Sequence, residues 1–150
     1  MLNFVSQRFN SFCHLTGKSL LLVPVTLFLS ASAMAADKPS EAELAFNKEV
    51  LECASYYQIS SNVIVNMDAP QMKPVGERLL NSSKKAIALA EQYQSKDAVE
   101  KQLTATKEKQ LATLPNGKSL GPLMSKYKVA CQTLLSEPQK RLDYWIMATM

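Results

Sequence analysis

Apolar residues recur at helical spacing through most of the chain beyond residue 40. Phe46, Val50, Cys53, Tyr57, Ile64 and Met67 follow one another at steps of three, four and seven, which places them on one helical face. Ser60 and Ser61 fill the long step, where a close approach by another helix is expected. Ser40-Glu41-Ala42-Glu43 reads as a capping box, in which the serine hydroxyl accepts from the third amide and Glu43 reaches back. These signals predict a long first helix ending near Met67.

Asp68-Ala69-Pro70 stops that helix, and Pro74 suits the first turn of the next. Leu79, Ala86, Leu89, Ala90 and Tyr93 form its inner stripe. Continued past Tyr93, the stripe lands on Lys96, Asp97 and Glu100. A new stripe starts instead on Val99, Leu103, Thr106 and Leu111. The phase break predicts a turn near Ser95, with Ser95 as N-cap of a third helix. One long bent helix is the alternative, because no Gly or Pro interrupts the run.

Leu114-Pro115-Asn116-Gly117 is the clearest turn. A fourth helix then opens at Ser119 or Leu120, with Leu120, Met124, Tyr127, Cys131 and Leu134 on one face. Ser136-Glu137-Pro138-Gln139 reads as a second capping box and starts a short last helix. The pattern as a whole predicts an all-α bundle of four to five helices.

The first 35 residues have a different character. Arg8 and Lys18 are their only charges, an apolar run spans 20–29, and Ala31, Ala33, Ala35 and Ala36 follow. That order of basic, apolar and small residues is the layout of a secretory signal. The apolar run is shorter than the roughly 20 residues a stable span needs, and Pro24 interrupts it. Cleavage is expected after Ala35, with Ala36 as the alternative, leaving residues 36–150 as one domain. An exported chain of this kind is expected in the periplasm or outside the cell, touching the membrane only through the signal before cleavage.

Cleavage changes the chemistry available. Cys13 leaves, so Cys53 and Cys131 remain, and in an oxidising compartment two cysteines on apolar helix faces predict a disulfide. It would tie the long first helix to the fourth. His14, the only histidine, leaves as well. That excludes a Ser-His-Asp or Cys-His site, histidine-ligated zinc and a histidine pH switch. The whole chain carries 17 basic and 13 acidic residues, but the signal takes Arg8 and Lys18, so the exported part is +2 instead of +4. Its lysines are spread along the sequence, and no nucleic-acid partner is expected.

Few residues stand out as sites. Tyr57 is expected in the core, with Tyr56 at its edge and its hydroxyl wet. Glu49 and Glu52, one turn apart beside Cys53, read as a solvated face. Met67, Met72, Met124, Met147 and Met150 lack the histidines or dense spacing of a copper site and read as apolar filler or contact surface. No catalytic residue, cofactor or metal site is expected. Tyr144, Trp145, Ile146, Met147 and Met150 form an apolar C-terminal cluster that is expected to cap the open end of the bundle; the alternative is an exposed patch for a partner or a membrane surface, which makes it the first place to look for an interaction site.

The sequence therefore points to a non-enzymatic bundle acting through contacts with a protein partner, as an adaptor, inhibitor or chaperone. A bundle with a small-molecule or lipid pocket lined by Tyr and Met is the second reading. An enzyme would require carboxylate, Tyr or Lys chemistry, and a buried carboxylate pair with raised pKa values would mark it.

Overall fold

The first helix is buried almost all round, and this decides the architecture. In a computed structural model, which describes residues 38–115 and 119–150, α1 spans Glu41–Val65. Thirteen of its 25 residues are buried, on every side of the helix. A helix that is buried on all faces must be central. The others wrap it: α2 (Lys73–Ala90), α3 (Lys96–Ala112), α4 (Gly121–Ser136) and α5 (Pro138–Ala148). Each of them packs against α1. A single 3-10 turn at Pro70–Met72 leads into α2, and there is no strand among the described residues. The fold is the expected all-α bundle. The expected signal segment, residues 1–35, and the Asn116-Gly117 part of the turn lie outside the described residues.

Local chemistry sets most of the boundaries. The Ser40 hydroxyl accepts from the Glu43 amide at 3.2 Å, and Glu43 accepts from the Ser40 amide at 2.7 Å, which completes the capping box. The Ser95 hydroxyl accepts from Ala98 N, so α2 and α3 are separate helices. The second capping box does not form. Ser136 is still in the last turn of α4, where its hydroxyl donates to Thr133 O at 3.0 Å. Glu137 takes the N-cap position of α5 with no side-chain cap.

The α1–α2 crossing is built from small residues in an antiparallel register. Asn47, Ala54 and Ser61 recur every seven residues on α1, and Gly76, Ser83 and Ala90 do so on α2; all six are buried. Ser61 Oγ donates to Gly76 O at 2.8 Å, and Ser83 Oγ donates to Ala54 O at 2.9 Å. One turn beyond the third pair, Asn47 Nδ2 donates to Gln94 Oε1 at 2.8 Å. The serine pair expected to admit a neighbouring helix therefore does so at Ser61.

On the other side of α1, Cys53 and Cys131 form the expected disulfide, with a Cα–Cα distance of 5.4 Å. Tyr127 of α4 stacks on Tyr56, with ring centroids 5.9 Å apart. This covers Tyr56, which is only 3% exposed, so both tyrosines are core residues and Tyr56 is not the wet edge residue the sequence suggested. On α3 and α4 the expected faces are buried at Val99, Tyr127, Cys131 and Leu134, but one position on each helix departs from expectation. Leu123 is buried on α4 while Met124 is exposed, and Gln110 is buried on α3 while Leu111 is exposed. Met67 is exposed as well, beyond the end of α1.

Candidate functional site

Three features of the surface carry chemistry: two grooves that flank α4, and the outer face of α5. The first groove lies between α1, α4 and α5, with a volume of about 580 Å³. The disulfide, Tyr127 and Leu134 line it, with Tyr144 on the α5 side. Its charged residues balance: Glu49, Glu52 and Glu137 against Lys126, Lys140 and Arg141.

Within this groove Arg141 grips Glu49 in a two-pronged ion pair. Arg141 Nε donates to Glu49 Oε2 at 2.6 Å and Nη2 donates to Oε1 at 2.5 Å. The guanidinium also stacks on Tyr144, 4.4 Å from the ring centroid, and lies 5.6 Å from that of Trp145. Burial pushes the Glu49 carboxyl up, but hydrogen bonds from Arg141, the nearby Trp145 indole and the Arg141 charge outweigh it. The net effect lowers its pKa. The Trp145 Nε1 is itself buried and has no hydrogen bond of good geometry, so its contribution is that of a nearby dipole. Glu49 is therefore a structural anion. Both oxygens are engaged, which suits neither a general base nor a proton donor at neutral pH. It is not the freely solvated residue the sequence suggested.

The second groove lies between α1, α2 and α4 and has a volume of about 440 Å³. It is lined by Tyr56, Tyr57, Met72 and Met124 among others, and it carries Arg78 and Lys128 but no acidic residue. Ser60 also reaches it; this residue is 2% exposed and its hydroxyl has no hydrogen-bond partner of good geometry. Burial raises the pKa values of Tyr56 and Tyr57, so both hydroxyls stay protonated.

The expected C-terminal surface divides in two. Leu142 is buried and Trp145 is half-buried, edge-on to Tyr144 at 5.5 Å. Tyr144, Ile146, Met147 and Met150 face outward, with Met147 70% and Met150 98% exposed. Met147 lies three residues from both Tyr144 and Met150, and Ile146 lies four from Met150, so each exposed position neighbours at least one other at the end of the chain; Tyr144 also lines the first groove. The five residues singled out from the sequence thus comprise one anchor, Trp145, and four exposed positions.

Sequence reasoning missed Arg141, Arg78 and Lys128, and it gave Ser60 a role in helix packing only. None has a local signal, since each acquires its meaning from a residue on another helix. Among the described residues there is no cluster of three His, Cys, Asp or Glu placed to hold a metal ion, and no helix is long and apolar enough to cross a membrane. Comparison with protein-family models, curated proteins and solved structures finds no match for the chain.

Proposed function

We propose that the chain is an exported helical protein that acts without catalysis, by docking a folded protein partner on the outer face of α5. The observation that carries this reading is the exposed group Tyr144, Ile146, Met147 and Met150. Apolar residues scattered singly on a surface need no explanation, but four gathered on one helix end do. Methionine suits such a role because its flexible thioether adapts to a partner's contours. Arg141 and Trp145 pin the inner side of α5, so the patch is presented on a fixed helix.

The periplasm is the proposed location. The disulfide suggests an oxidising compartment outside the cytoplasm. The order of residues in 1–35 supports export and cleavage after Ala35. The small net charge argues against nucleic acid.

The test places a photo-crosslinking residue at Met147 and, in a control, at Lys107 on the exposed side of α3. Both full-length chains are expressed in cells and irradiated. A discrete adduct from position 147 that is absent from position 107 is expected, and Ile146→Glu should abolish it. A ladder of many adducts indicates a chaperone working on many clients, and a single adduct indicates an adaptor or inhibitor. Equal labelling from both positions, or none, overturns the reading. Intact mass of the exported chain reports its first residue, with Ala36 expected.

A further inference from the structure

The second groove has a charge pattern that the first lacks. Its walls are apolar, from Ile64, Met72, Val75, Leu79, Leu120 and Met124. Its only charged residues are Arg78 on α2 and Lys128 on α4, and neither forms an ion pair among the described residues. In the first groove Arg141 pairs with Glu49 and Lys140 with Glu137, and the remaining cation, Lys126, faces a groove that also holds Glu52. An apolar trough with two unpaired cations is complementary to a molecule with an apolar chain and one anionic end.

A second observation points the same way. Ser60 lines this groove, and its buried Oγ lies close enough to the Tyr56 hydroxyl to interact with it but makes no hydrogen bond of good geometry. Tyr56 and Tyr57 line the same groove. Buried hydroxyls are normally satisfied, so a ligand whose entry parts this wall would meet a free donor and acceptor there. The volume of about 440 Å³ falls within the roughly 300–1,000 Å³ typical of small-molecule sites. The groove also differs from the first in being free of carboxylates, which would repel an anion.

We infer that the groove between α1, α2 and α4 binds a single-chain amphipathic anion, such as a fatty-acid carboxylate, with its chain along the Met72–Met124 walls and its anionic end between Arg78 and Lys128. The site shares no residue with the α5 patch, so it stands or falls independently of the proposed docking function. Burial of the chain supplies most of the affinity, and the two rim cations set the preference for a negative head.

The test uses the purified exported chain and three soluble probes below their micelle concentrations: dodecanoate, dodecyltrimethylammonium and dodecyl maltoside. Calorimetry reads affinity, and amide shifts in NMR spectra read location. Dodecanoate should bind saturably, shift Ser60 and Met124, and bind about tenfold more tightly than the cationic probe, a difference that two exposed cations acting together can supply. The double variant R78E/K128E should remove that preference. M124W, at an exposed position, should fill the groove and abolish binding while leaving the thermal transition in place. Equal binding of anion and cation, or an unchanged preference in R78E/K128E, overturns the inference in favour of simple hydrophobic adsorption. Phosphatidylglycerol vesicles form the last arm. Vesicle binding without dodecanoate binding would make this face a membrane contact and would likewise overturn the single-chain site.

Discussion

Ser61 donates its hydroxyl hydrogen to the Gly76 carbonyl at 2.8 Å, across a helix crossing where any side chain at position 76 must displace that of Val65. A Cβ added there would stand 2.5 Å from Val65 Cγ2. Seven residues along, Ser83 repeats the same device with the Ala54 carbonyl, and both carbonyls belong to helix backbones. Small residues let the backbones approach, and the serine hydroxyls fix which turn of α2 meets which turn of α1. A sliding of one helix turn would leave two buried hydroxyls unpaired, and each unpaired buried group costs about 1–3 kcal/mol. The register is thus specified by polar contacts inside an otherwise apolar seam.

Substitutions at this crossing should separate size from hydrogen bonding. Gly76→Leu should destabilise by about 1–3 kcal/mol through overpacking. Gly76→Ala should be close to neutral, because only the Val65 side chain must move and the helix gains about 1 kcal/mol of propensity. Ser83→Ala should cost about 0.5–1.5 kcal/mol for the lost hydrogen bond. Urea denaturation of the three variants checks the order.

The Cys53–Cys131 bridge joins residues 78 apart in sequence and fastens α4 to α1. In the chain-entropy view a loop of this size contributes about 4 kcal/mol, and removal of native bridges typically costs 2–5. The double variant Cys53→Ser/Cys131→Ser should lose about that much. Hydrogen exchange should rise most in α4 and α5, which follow the bridge. Thiol titration of the native protein should find no free thiol on the exported chain.

Gln110 makes one buried hydrogen bond, from Nε2 to Glu52 O at 2.9 Å, and leaves its Oε1 buried and unpaired. The unpaired oxygen offsets what the bond contributes. Gln110→Leu keeps the volume and removes the orphan, so its stability should fall within about 1 kcal/mol of the parent. Gln110→Ala leaves a void and should be the less stable of the two. Melting temperatures compared side by side decide the ranking.

The elements were legible because their signals are local. Ser40, Ser95, Pro74, Pro122 and Pro138 act within one turn of where they stand, and each marks a helix start in the structure. Ser136 failed as a cap for a local reason too: its residue is still helical, so its hydroxyl turns back to Thr133 O. Facing was less legible. A single-stripe reading assumes one buried face, whereas α1 is buried all round and Tyr56 is covered by Tyr127. On α3 and α4 apolar residues stand side by side or next to a long polar one, so the choice between Gln110 and Leu111, or Leu123 and Met124, depends on the neighbouring helix. The cationic groove and the ion pair were invisible, because Arg78 and Lys128 come to line one groove, and Arg141 meets Glu49, only after the helices pack.

The Glu49–Arg141 pair should make stability depend on pH in a predictable direction. The Glu49 pKa is lowered from its ordinary 4.5, so the folded state binds this proton less readily than the unfolded chain. Its contribution is therefore complete above the ordinary carboxylate range and is lost as pH falls through the lowered value. The pair is partly exposed, and the contribution of such a pair is about 1 kcal/mol or less. Glu49→Gln should accordingly be less stable than the parent at pH 7, by about that amount, with the gap closing as pH falls below 4.5. Arg141→Lys should recover only part of the gap, because an ammonium lacks the planar fork that meets both carboxylate oxygens and stacks on Tyr144. Urea titrations of the three proteins at pH 7 and pH 3 check this. A Glu49→Gln curve that runs parallel to the parent at both pH values would mean that the pair fixes the geometry of α5 without contributing to stability.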